Sequence, residues 1–140
     1  MNIFTSSYDL MSVGLLILRI TLGSIFFAHG AQKVLGWFGG YGLKGTQGHF
    51  KSVLHIPAPL FYVAAFTEFF GGIALVAGIL TQLAALGIVV VMTVAILKAH
   101  AKNGFFLSSA KGQGFEFNLA LIAMALLLLL TGPGKFAILG

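Results

Sequence analysis

The sequence predicts an all-α integral membrane protein, a four-helix transmembrane bundle with a short interfacial helix in its first loop. Three observations predict it. Of 140 residues, 59% are hydrophobic and only 8% are charged, against about 25% charged in a soluble domain. Mean hydropathy is +1.03. The apolar residues gather into four runs, near the ~20 residues that cross a bilayer as a helix. The runs lack the alternation of a barrel strand, and in lipid a helix satisfies its own backbone hydrogen bonds. One domain over residues 1–140 is expected.

The first span is read over residues 10–34, with Arg19 inside it. It does not read as a cleaved signal peptide, because no Lys or Arg precedes Arg19 and Arg19 interrupts the apolar core. The first long loop follows. It carries glycine at five of the ten positions 36–45, with Trp37, Phe38 and Tyr41 suited to the membrane–water interface. Thr46 is a candidate cap for a short surface helix with Phe50, Val53 and Leu54 on one face. Pro57 and Pro59 close that segment.

The second span is read over 59–80 and the third over 83–99, so Thr81 and Gln82 join them as a tight hairpin. The fourth, 115–130, is short for a crossing. Six of the eight basic residues lie in or beside the first and third loops, with Lys135 alone at the opposite end. The positive-inside rule then puts the long loops 35–58 and 100–114 in the cytoplasm and both termini outside the plasma (inner) membrane. The same rule accounts for the net charge of +5. No basic run of nucleic-acid type occurs. The absence of cysteine excludes disulfides, iron–sulfur ligation and thiol chemistry by this chain.

Glu68 and Arg19 carry the candidate chemistry. They are the acid and the arginine inside long apolar runs, and a charge at the membrane midplane needs a partner. Aligning the centres of the two spans leaves an axial gap of roughly 5 Å, so the two are expected to pair. Such a pair either locks two helices in register or handles protons. Arg19, Gly23, Phe26, Gly30 and Lys33 share one face of the first helix, with His29 at its border. His29, Lys33, His100 and Glu116 are expected near one membrane face. A haem held by His29 and His100 has the right ligand types but no haem motif. A metal site lacks an i, i+3 or i, i+4 ligand pair on one helix.

Several segments together resemble the DoxX family. They are His29-Gly30-Ala31-Gln32-Lys33, Phe38-Gly39-Gly40-Tyr41-Gly42, Gly45-Thr46 and Thr67-Glu68-Phe69-Phe70-Gly71-Gly72. His100, Asn103-Gly104-Phe105-Phe106, Gly114-Phe115-Glu116 and Gly132-Pro133-Gly134 complete the pattern. The family usually has Ala-Glu where this chain has Thr67-Glu68. The resemblance implies a four-helix inner-membrane protein. It also implies a link to membrane redox complexes, since the family takes its name from a subunit of a thiosulfate:quinone oxidoreductase.

The resulting expectation is a membrane subunit of a quinone-linked redox system, working in the lipid bilayer with redox enzyme subunits as partners. Glu68, Arg19 and His29 are the catalytic candidates. Phe26, Lys33, Trp37, Phe38, His100 and Glu116 are the candidates for holding a membrane quinone, with Phe27 beside them. No resident metal or other cofactor is legible. Two other readings stand beside this one. One is a non-catalytic scaffold docking a soluble enzyme on its lysine-rich face. The other is a transporter or proton pathway through Arg19 and Glu68, for which no broken helix or inverted repeat speaks.

Overall fold

The computed structural model describes residues 7–139 as helices joined by short turns and two longer loops. The single-domain expectation also covers residues 1–6 and 140, which lie outside the described residues. Five helices follow one another: α1 (Ser7–Val34), α2 (Gly42–Ser52), α3 (Ala58–Ala77), α4 (Thr81–Ala95) and α5 (Glu116–Thr131). α4 runs on through a π turn, Ile96–His100, and a 3-10 turn, Ala101–Asn103. Three segments are long and apolar enough to cross a membrane: Leu10–Val34, Ala58–Ala77 and Thr81–Asn103. α5 is a shorter apolar helix.

Each long helix buries a stripe at helical spacing. On α3 it is Phe61, Ala65, Glu68, Gly71, Gly72 and Leu75. On α4 it is Thr81, Ala85, Ile88 and Met92, and on α5 Asn118, Leu121, Ala125 and Leu128. These stripes meet Leu15, Leu22 and Phe26 of α1 in one core. α1 packs chiefly on α3, α3 on α4 and α4 on α5, while α1 and α5 touch little. The exposed surfaces of these helices remain apolar, as lipid contact requires.

Close backbone approach fixes the α1–α3 register. A Cβ on Gly30 would collide with the backbone of Phe69, and one on Gly72 with that of Phe27. Small residues of this kind let membrane helices touch.

Two boundaries differ from the sequence expectation. α3 stops at Ala77, because Gly78 adopts a left-handed conformation at φ 73°. Gly78 N and Ile79 N both donate to Ala74 O, a Schellman closure. The turn is thus Gly78–Leu80, and Thr81 already opens α4. α2 begins at Gly42 behind Tyr41, which gives no side-chain cap, so Thr46 lies inside the helix. Its half-buried side holds Leu43 and Phe50; just past its end Val53 is exposed and Leu54 half-buried. α2 packs across the ends of α1 and α3.

After α5 the chain folds back beneath the bundle. Lys135 N donates to Ser12 Oγ at 3.3 Å. Ile138 N and Leu139 N donate to Ala77 O and Gly78 O, each at 3.1 Å. The tail thereby satisfies carbonyls that the end of a helix leaves open.

Candidate functional site

Glu68 pairs with Lys33. Lys33 Nζ donates to Glu68 Oε2 at 2.6 Å across α1 and α3. The carboxylate is 3% exposed and the lysine side chain 19%, so the charges meet largely out of water, where they attract more strongly. α2 covers the pair: Lys33 Nζ lies 5.5 Å from the Phe50 ring centre, a cation–π distance. Phe50 meets Phe61 of α3 edge-on at 5.0 Å. An aromatic roof therefore sits over the lysine, carried by a helix with no buried residue of its own.

His29 is one turn before Lys33 on α1, so it leans to the same side. It is exposed, and its place one turn from Lys33 sets it at the edge of the pair. The arrangement is a buried ion pair with a titratable imidazole at its edge. It has the elements needed to pass a proton between the bundle interior and its surface.

The expected Arg19–Glu68 pair does not form. Arg19 is fully buried, but its Nη1 donates to Leu75 O at 3.3 Å and its Nη2 to Phe136 O at 2.5 Å. From Glu68 to Leu75 is two helical turns, about 10 Å. The expectation aligned the middles of the two spans. The glycine contacts instead slide α1 along α3, so that Arg19 reaches the C-terminal end of α3. That end is the negative pole of the helix dipole, which suits a cation. Arg19 is thus a clamp between α3 and the tail, and a polar path running from Arg19 to Glu68 loses its first step.

The aromatic set expected around His29 is dispersed. Phe26 is 1% exposed and belongs to the core. Trp37 is exposed in the loop after α1. Phe38 folds back along α1, its carbonyl accepting from Gln32 Nε2 at 3.2 Å. With Phe27, Ser24, Ala28, Ile73, Val76 and Ala77 it lines an open apolar groove of about 470 Å³. Ser24 and Ala28 lie on a different side of α1 from His29, more than a quarter turn away at about 100° per residue. The groove and the charged site are therefore separate.

His100 and Glu116 shape the second long loop. His100 Nδ1 is 3.0 Å from Gln113 O, and Asn103 Nδ2 donates to the same carbonyl at 3.0 Å. Glu116 N donates to Phe105 O at 2.8 Å, and its carboxylate stands in the first turn of α5, favourable at a helix N-terminus. No group of three His, Cys, Asp or Glu suited to a metal occurs among the described residues.

Three participants escaped the sequence reading. Sequence spacing puts Phe50 on one face of a short surface helix with Val53 and Leu54, and only the fold shows it over Lys33. Asn118 is buried on α5, its Nδ2 donating to Met92 Sδ at 3.5 Å; a lone amide in the fourth apolar run was the available signal. The role of the tail had no local signal.

Known proteins resemble this chain over most of its length. The family described as DoxX matches residues 14–101. The chain is 30% identical over 129 residues to "Inner membrane protein YqjF" of Escherichia coli (strain K12), covering 92% of each chain. It is 30% identical over 126 residues to "Putative oxidoreductase CatD" of Bacillus subtilis (strain 168), covering 90% of this chain and 84% of that one. An uncharacterized protein of Haemophilus influenzae is 30% identical over 128 residues, 90% of this chain and 81% of its own. No solved structure matches.

Proposed function

Because this chain belongs to the DoxX family of membrane proteins, we propose that it is a membrane subunit of a quinone-linked redox system. In this reading the Lys33–Glu68 pair and His29 manage the protons of quinone chemistry. The observation that carries it is the ion pair at 2.6 Å with a 3% exposed carboxylate and the exposed imidazole beside it. Charges held inside a membrane bundle lean towards function. One relative, CatD of Bacillus subtilis, carries the name "Putative oxidoreductase".

Reducing a quinone to a quinol takes up protons along with electrons. His29, the exposed member of the group, is placed to exchange a proton with a ring oxygen at the helix surface. The Lys33–Glu68 pair lies behind it, next in line along the route by which His29 regains the proton it gives to that oxygen. Electrons reach the quinone from a partner subunit. The two long loops face the cytoplasm in this arrangement, as the lysine asymmetry directs.

Purification in a mild detergent, followed by lipid extraction and mass spectrometry, tests the proposal. Quinone should co-purify with the parent protein and be depleted in His29→Ala and Glu68→Gln. If no quinone co-purifies and none binds on titration, the reading fails.

A further inference from the structure

We propose that the lysine-rich end of the bundle is a binding surface for anionic phospholipid headgroups. Its cations are Lys44 and Lys51 on α2, with Lys98, Lys102 and Lys111 beyond α4. All five are exposed. The ion pair found among the described residues is Lys33–Glu68, so no carboxylate there neutralises them. Besides buried Glu68, Glu116 is the acid at this end. The surface carries a surplus of positive charge that the chain does not balance itself.

The lysines stand on two supports. Lys44 and Lys51 are two turns apart on one flank of α2, about 10 Å, and between them Gly48 faces open space. Lys98 and Lys102 lie a turn apart at the end of α4, and Lys111 follows in the loop. α2 packs on α1 and α3, so the two groups flank different parts of the bundle.

The depth of these cations points to lipid. The same end exposes Trp37, Tyr41, Phe105 and Phe106, ring types that settle at the headgroup level. Lysines beside them reach the phosphates with their flexible stems. Compact ammonium groups suit phosphate as point charges, and juxtamembrane lysines attract anionic lipid. Cations spread around the rim fit many separate headgroups better than one compact acidic protein. Phosphates on Lys44 and Lys51 would also hold α2 in place, and with it Phe50 over Lys33. The inference stands independently of the redox reading.

The test is native mass spectrometry of the full chain in mild detergent, titrated with phosphatidylglycerol or with phosphatidylcholine of the same acyl chains. Phosphatidylglycerol should be retained preferentially, by about fivefold for each lysine engaged, and the preference should collapse at high salt. Replacing all five lysines by Gln should abolish it, and replacing them by Arg should preserve it. Lys44→Gln with Lys51→Gln should also speed amide exchange in α2, whereas Lys135→Gln at the opposite end should change nothing. Equal retention of the two lipids overturns the proposal, as does a preference that survives the five-Gln variant. Capture of an acidic protein through these lysines in place of lipid overturns it too.

Discussion

The backbone of Gly30 on α1 lies so close to that of Phe69 on α3 that a Cβ on Gly30 would overlap it. This contact brings the Lys33 turn of α1 to Glu68 in the middle of α3 and leaves Arg19 at the C-terminal end of α3.

Gly30→Ala should therefore destabilise the bundle by about 1–3 kcal/mol, the usual cost of overpacking. Gly14→Ala makes a matched control, since nothing lies within 4 Å of its position, and it should be neutral or slightly stabilising. Reversible unfolding in mixed detergent reads the difference. Equal stability of the two variants would show that the register does not depend on this approach.

Lys33→Met leaves the Glu68 carboxylate buried and unpaired, at a cost of roughly 3–5 kcal/mol. Adding Glu68→Leu removes the stranded charge, so the double variant should recover most of that loss. A double-mutant cycle measures it. The charge swap Arg19→Glu with Glu68→Arg should fail to fold, since the two positions do not meet.

Arg19→Met removes both carbonyl contacts, to Leu75 and Phe136. Residues 136–139 should then become sensitive to carboxypeptidase, and their amides should exchange faster. Arg19→Lys should rescue this only in part, because a single ammonium lacks the planar fork that spans two carbonyls. Unchanged digestion in Arg19→Met would remove the clamp role.

Phe50→Ala strips the aromatic roof from Lys33. The lost cation–π contact is worth about 0.5–1 kcal/mol at a partly exposed site, and the lost edge contact with Phe61 about as much. The clearer readout is chemical: a water-soluble carbodiimide should modify Glu68 faster in Phe50→Ala than in the parent. Equal rates would mean that α2 does not shield the pair.

The sequence by itself determined the membrane class, the four apolar helices and the family. Charge density, run length and the glycine-containing motifs are local properties, written in order along the chain. It also marked Lys33, His29 and Glu68 as candidates, because helical periodicity assigns each residue to a side of its own helix. Periodicity does not say how far one helix slides along another. Only the tertiary structure decided that, through the contacts of Gly30 with Phe69 and of Gly72 with Phe27. Those contacts gave Glu68 to Lys33 and turned Arg19 to the carbonyls of α3 and the tail, while the packing of α2 on α1 and α3 laid Phe50 over the lysine. Each of these links residues distant in the chain, and backbone approach across helices is a long-range packing outcome that no local pattern encodes.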